Sequence, residues 1–191
     1  MMTGLLLAAG QSKRLKSENK LTKLYKKTPL INHSLKSLQK SKVNKVIIVL
    51  GHEHKKVKKI IKKNKKNIFI YNKNFRKGMA SSIKVGLRKI TRSDKGFIIV
   101  QSDMPFIKTE DINKIFNSIK LKKFLVYVLK FKNKIGNPIG FDISLIKKFR
   151  NIKGEFGAKF MVKRLKNRTK FIRTSTAKSF KDFDKASDFR I

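Results

Sequence analysis

The sequence contains no cysteine and no tryptophan, only three prolines, and 11 acidic residues against 50 lysines and arginines. Without cysteine there is no disulfide, thiolate zinc site, iron–sulfur ligation or cysteine nucleophile, which fits a reducing compartment. No apolar run approaches the roughly 20 residues of a spanning helix. The opening MMTGLLLAAG lacks a basic segment before its short apolar run and makes a poor signal peptide. A soluble, cytoplasmic protein with no membrane partner is expected. With no Pro-rich linker, low-complexity tail or long-period repeat, residues 1–191 are expected to form one domain.

The shortage of acids leaves a formal net charge of +39. A nucleic-acid-binding protein is one reading of that excess. It is mostly lysine, however, spread over nearly every segment, whereas a phosphate-tracking surface is more often a local patch containing arginine. The charge is therefore read as solvated surface with no specific nucleic-acid partner, still able to steer small polyanions toward the protein.

What the chain does have is 40% hydrophobic residues, 15 of them phenylalanine. Continuous apolar runs recur at GLLLA near residue 5, KVIIVL at 45–50, NIFIY at 67–71, GFIIVQ at 96–101 and FLVYVL at 124–129. Unbroken rather than alternating hydrophobicity predicts strands covered on both faces. Helical spacing follows Pro29, runs through HKKVKKIIKKNKK with Val57, Ile60 and Ile61 on one stripe, and returns at 81–89 with Ser81 as cap and at 109–119. Glu110 and Asp111 in that last segment's first turn suit the helix dipole. Alternating strand and helix imply βαβ units and a mostly parallel, three-layer α/β sheet, whose ligands bind beyond the carboxyl ends of the strands.

Six segments could carry chemistry there. Ala8-Ala9-Gly10-Gln11-Ser12-Lys13-Arg14 allows close approach to its backbone and, with Lys20, offers fixed positive charge to phosphate. It is neither GxGxxG nor a P-loop. Gln101-Ser102-Asp103-Met104-Pro105 places a carboxylate at a strand end, where Mg²⁺ takes one or two carboxylates plus substrate phosphates. Lys77-Gly78-Met79-Ala80-Ser81-Ser82 runs into a helix start that suits an anion or, equally, a simple cap. Gly136-Asn137-Pro138-Ile139-Gly140-Phe141 and Gly154-Glu155-Phe156-Gly157-Ala158 read as turns by composition and as a second-substrate pocket by position. Asp182-Phe183-Asp184, followed by Asp188, gathers acids in a basic chain. Gly51-His52-Glu53-His54 does not have the i, i+4 histidine spacing of a zinc helix and is not taken as a metal site.

In order, LAAGQSKR with Lys20, TPLI with His33, NKNFRKGMASSIKVGL, SDMP, GNPIGF, GEFGAKF and DFDKASDF resemble the signatures of the molybdenum cofactor cytidylyltransferases, in the molybdopterin nucleotidyltransferase group. The resemblance implies a Rossmann-like nucleotidyltransferase fold. It implies transfer of CMP from CTP to the terminal phosphate of molybdopterin, with release of pyrophosphate, Mg²⁺ as cofactor, and a recipient molybdoenzyme as further partner. It implies that Leu7, Ala8, Ala9, Gly10, Ser12, Arg14, Lys20, Gly78, Ser81 and Ser82 bind the nucleotide. Arg14, Lys20 and Asp103 would be catalytic, Asp103, Asp182 and Asp184 would hold the metal, and Asn137, Pro138 and Gly157 would face the acceptor. The double alanine resembles the cytidylyl rather than the guanylyl branch. The chain departs from the family pattern at Lys16, Ser102 and Glu155. The alternatives are a GTP-using enzyme or one acting on another phosphorylated acceptor, such as a sugar phosphate or methylerythritol phosphate.

Overall fold

The computed structural model describes residues 1–12, 19–155 and 157–190. In chain order the regular elements are β1 (Met2–Ala8), β2 (Leu24–Tyr25), β3 (Thr28–Pro29), α1 (Leu30–Lys40), β4 (Lys45–Leu50), α2 (His54–Lys59), β5 (Asn67–Tyr71) and α3 (Met79–Leu87), followed by β6 (Gly96–Gln101), α4 (Thr109–Lys120), β7 (Val126–Phe131), β8 (Lys134–Asp142), α5 (Ile146–Phe149), α6 (Ala158–Arg164) and β9 (Thr169–Arg173). Seven strands form one sheet in the order β5-β4-β1-β6-β8-β7-β9, and β2 with β3 makes a small separate ribbon.

The four apolar strands β5, β4, β1 and β6 run parallel, with Leu5 paired to Ile47 on one side and Ile99 on the other. Successive residues of these strands feed opposite faces. Leu6, Ile48 and Val100 pack with Ile31, Leu35 and Leu38 of α1 and Ile112, Ile115 and Ile119 of α4. Leu5, Ile47, Val49 and Ile99 pack on the other side with Ile83 and Leu87 of α3, Phe149 of α5 and Met161 and Val162 of α6. β1, β4 and β6 are buried on both faces, which is why they read as continuous rather than alternating runs, whereas β5 at the sheet edge stays half-exposed.

The structure corrects four expectations. The segment 136–141, read as a turn, belongs to β8, which lies antiparallel between β6 and β7. Its glycines and proline masked the strand, and an irregularity opposite Val128 and Leu129 leaves Asn137 and Pro138 outside the pairing register, as a bulge does. The lysine-rich helix stops at Lys59 instead of running to residue 66. After Ile61 there is no apolar side chain left to bury, and like charges one turn apart disfavour further helix. Gly78 rather than Ser81 caps α3. The strand expected at 124–129 begins two residues later, at Val126.

The chain leaves β1 for β4 and β5 on one side, then returns through α3 to place β6 on β1's other flank. Strand order therefore reverses between β1 and β6, and the crevice beyond their carboxyl ends is where such sheets bind ligands.

Candidate active site

Two neighbouring strand ends are tied together before any ligand is considered. Ser102, following β6, donates from its backbone N–H (3.3 Å) and its hydroxyl (2.7 Å) to the carbonyl of Leu7 in β1. The Ser102 side chain thus fastens the β1 and β6 ends to each other. The next residue, Asp103, is turned into the crevice.

The loop after β1 is also anchored. Gly51 lets the chain after β4 pass close, since a Cβ there would sit 2.7 Å from both Cβ and the carbonyl oxygen of Ala9. Ser12 has a left-handed backbone (φ 54°) and accepts the Lys20 backbone N–H at 3.0 Å. Asn19, buried, accepts the Leu21 N–H and donates to the His52 carbonyl, which sets the turn that carries Lys20.

The third wall is the entry to α3. Gly78 adopts φ +89°, and a Cβ on it would lie 2.5 Å from the Gly154 carbonyl oxygen, so the two glycine loops meet backbone to backbone. Gly154 accepts the Ala80 N–H, and the Glu155 carboxylate accepts the Met79 N–H at 3.3 Å. An acid at a helix N-terminus is favourably placed. Asn72 donates to the hydroxyls of Ser81 and Ser82.

The C-terminal segment closes the site. Phe183 is buried among Tyr25, Phe106 and Phe189 and donates its backbone N–H to the Asp103 carbonyl at 3.0 Å. Asp188 accepts the N–H groups of Asp184 and Lys185. Asp184 is thereby delivered to the crevice opposite Asp103.

The result is a cavity of about 390 Å³ lined by Leu7, Ala9, Gly10, Gln11, Ser12, Lys20, Leu21, Phe75, Arg76, Gly78, Met79, Ser82, Gln101, Ser102, Asp103, Glu155 and Asp184. That volume is within the range of small-molecule sites. At its centre the Lys20 ammonium donates to Asp103 Oδ2 and to Asp184 Oδ1, each at 2.7 Å. Burial by itself would lower the Lys20 pKa, but the charge and hydrogen bonds of Asp103, then of Asp184, outweigh it and hold the amine above its ordinary value. Burial pushes the Asp103 carboxyl up, against the pull of Lys20, and the charge of Asp182 adds to the rise. Lys20 rises because two carboxylates surround it, and Asp103 rises because its burial outweighs the pull of that ammonium. Asp103 Oδ1 is buried with no hydrogen bond.

Leu7, Ala9, Gly10, Ser12, Lys20, Gly78, Ser82, Asp103 and Asp184, all expected at the site from the sequence, line this cavity. Others do not. Ala8 is buried in β1 beneath it. The Ser81 hydroxyl is turned back to the carbonyls of Asn74 and Gly78. Asp182 is exposed and reaches Asp103 through its charge alone. Asn137 and Pro138 are buried in β8, joined by a cis peptide bond, and Gly157 packs against the Met79 sulfur. Arg14, Lys16 and Phe156 lie outside the described residues. Phe75 and Arg76 were not foreseen as site residues. Their signal lay inside the quoted NKNFRKGMASS segment, where an aromatic beside an arginine, here with the guanidinium 5.8 Å from the ring centroid, offers a flat stacking surface.

Two carboxylates, one with an unpartnered buried oxygen, are the hard oxygen donors that Mg²⁺ or Mn²⁺ takes, and such ions fill their remaining positions with water and substrate phosphate. Among the described residues no group of three or more His, Cys, Asp or Glu gathers around one point. The site thus fits an ion shared with a polyphosphate rather than one caged by protein.

A mostly parallel sheet with this crevice, a small-residue loop after the first strand and an acid after β6 defines a Rossmann-like nucleotidyltransferase fold. The chain belongs to the MobA-like NTP transferase domain family, whose model matches residues 4–169. It is 32% identical over 145 residues to 2-C-methyl-D-erythritol 4-phosphate cytidylyltransferase of Lachnoclostridium phytofermentans, covering 70% of this chain and 58% of that protein. It is 29% identical over 140 residues to the bifunctional protein GlmU of Clostridioides difficile, covering 72% of this chain and 29% of that one. The chain thus spans less than two thirds of either relative. The crystal structure of Rv0371c from Mycobacterium tuberculosis H37Rv superimposes with a TM-score of 0.85 over 98% of this chain and 94% of its own, at 19% identity. Its manganese complex gives a TM-score of 0.75 over 91% and 88%, at 16% identity. Among the described residues, no helix is long and apolar enough to cross a membrane.

Proposed function

We propose that this enzyme transfers CMP from CTP to the phosphate monoester of a small acceptor, releasing pyrophosphate. The observation that carries the reading is the Asp103–Lys20–Asp184 cluster at the mouth of the small-residue loop. A cytidylyl donor is supported by the double alanine and by the name of the relative at 32% identity. That relative and its phosphorylated acceptor favour a methylerythritol phosphate or sugar phosphate over molybdopterin. The order of the sequence motifs is what supports molybdopterin as a second acceptor.

In this reading Gly10, Gln11 and Ser12 approach the triphosphate with backbone amides, and Lys20 offers it an ammonium. Phe75 and Arg76 flank the base, while Gly78 and Ser82 leave room beside it. Asp103 and Asp184 hold a divalent cation, which when bound supplies positive charge to the phosphate oxygens. The acceptor phosphate is ionised near neutral pH and attacks the α-phosphorus in line, so no side chain has to remove a proton. The residues work by positioning and by neutralising charge that develops on the departing pyrophosphate.

Pyrophosphate release tests the proposal, measured with CTP and GTP in parallel against molybdopterin, 2-C-methyl-D-erythritol 4-phosphate and sugar 1-phosphates, with Mg²⁺ present and chelated. The expected result is CTP-dependent release that needs both an acceptor and the metal. Release with GTP alone, or none with any pair, would overturn it.

A further inference from the structure

Lys20 stands where two roles collide. Its ammonium is 2.7 Å from one oxygen of Asp103 and 2.7 Å from one oxygen of Asp184, and its side chain is only 13% exposed. Its backbone is held by Ser12 and by the turn that Asn19 sets. The lysine is therefore built in between the carboxylates rather than reaching them from a loose surface. A divalent ion such as Mg²⁺ bound between Asp103 Oδ2 and Asp184 Oδ1 would sit about 2.0–2.1 Å from each, and the ammonium already in contact with both of those oxygens occupies that position. Two adjacent cations would also repel each other strongly in a partly buried site. A metal can bridge the two acids through those oxygens only if the ammonium leaves, and the ammonium, being well buried, leaves cheaply only if another anion receives it.

We propose that Lys20 is a resident counter-ion: it neutralises the Asp103–Asp184 pair, keeps free divalent metal out, and moves to the polyphosphate as the metal takes its place. This rests on the nucleotidyltransferase reading above and deepens it. Loading becomes coupled, because nucleotide removes the competitor for the metal site and metal removes the competitor for the lysine, a reciprocal linkage. A lysine that merely touches phosphate would leave the affinity for free metal unchanged.

The test is Mn²⁺ binding followed by EPR with no nucleotide or acceptor present, on the native protein, on Lys20→Met and on Arg76→Met. Arg76 lines the same cavity, with its guanidinium beside the Phe75 ring, so it controls for the loss of a positive charge nearby. Lys20→Met should bind Mn²⁺ at least about tenfold more tightly than the native protein, the scale on which one close charge acts on its neighbour, and Arg76→Met should gain much less. A gain absent from Lys20→Met, or equal in Arg76→Met, overturns the proposal. Because two carboxylates without their ammonium repel each other, Lys20→Met should also unfold more readily in chelator and recover when Mn²⁺ is added. An unfolding midpoint that Mn²⁺ does not move, or a variant that stays unfolded with Mn²⁺, counts against it. None of these measurements needs turnover, so a different donor or acceptor would sink the reaction assignment and leave this result standing.

Discussion

Phe183 donates its backbone N–H to the backbone carbonyl of Asp103 at 3.0 Å, joining the C-terminal segment to the loop after β6. The two residues on either side of that bond, Asp103 and Asp184, are the carboxylates that share Lys20. The geometry of the acid pair is therefore set by a backbone contact and by the aromatic packing of Phe183 against Tyr25, Phe106 and Phe189.

A second anchor for that segment is Asp111 in α4, buried, whose two oxygens accept the hydroxyls of Thr174 and Ser179. Asp111→Ala leaves both hydroxyls without an acceptor and should cost about 1–3 kcal/mol in urea unfolding. It should also weaken Mn²⁺ binding, because Asp184 is no longer held opposite Asp103. Asp111→Asn keeps one acceptor oxygen and should recover part of both losses. An Asp111→Ala protein with native Mn²⁺ affinity would refute the positioning role.

Asp103→Asn should lower turnover by roughly 10²–10³-fold, the cost of deleting one preorganised electrostatic contact, with far-UV circular dichroism unchanged. In the native protein, burial holds the Asp103 carboxyl above the usual carboxylate range. It therefore regains its proton earlier as pH falls. Metal affinity, followed from pH 8 downward, should begin to decline at a higher pH than an ordinary carboxylate would cause. A decline confined to the ordinary carboxylate range would contradict this.

Gly78 combines φ +89° with a Cβ direction blocked 2.5 Å away by the Gly154 carbonyl oxygen. Gly78→Ala must strain one backbone or the other, at a cost of about 1–3 kcal/mol. Calorimetric titration with CTP should show weakened binding as the α3 entry and the Gly154–Glu155 loop separate. Unchanged affinity and thermal midpoint would show that this approach is dispensable.

At the opposite end of the sheet, Asp94 is fully buried and pairs with Lys45 at 2.8 Å while accepting from Thr3 and Thr91. Burial works to raise its pKa, but Lys45, the Thr91 N–H and the two hydroxyls overcome it and hold the carboxyl below its ordinary value. A lowered folded-state pKa means stability that is present above the unfolded value of about 3.9 and lost as pH falls through the folded value. Asp94→Asn should therefore lose about 1–3 kcal/mol at pH 7 and show a flatter loss of stability below pH 4 than the native protein, read by urea unfolding across that range. A parallel pH profile would argue against this carboxylate's contribution.

Much of the fold was legible because it depends on local pattern. KVIIVL, NIFIY and GFIIVQ became β4, β5 and β6 with the expected bounds; β4 and β6 are apolar throughout because both their faces are buried, whereas β5, at the sheet edge, stays half-exposed. The helix after residue 109 announced itself through its stripe and its first-turn acids. β8 was hidden because two glycines and a proline look like a turn until neighbouring strands pair with them on both sides. Gly86 and Gly96 carry side-chain packing against Leu5 and Ile119 that no local signal reports.

The same division runs through the site. By itself the sequence determined which loops have small or charged residues at strand ends, because close approach to a backbone requires missing side-chain bulk and phosphate requires positive charge. Only the tertiary structure decided that Lys20 meets Asp103 and Asp184, 83 and 164 residues away along the chain, that Ser81 and Asp182 stay outside the cavity, and that Phe75, Arg76 and Glu155 enter it. Periodicity and composition record whether a residue is buried; which distant side chains then share one ammonium follows from how strands order in the sheet and where the last segment packs.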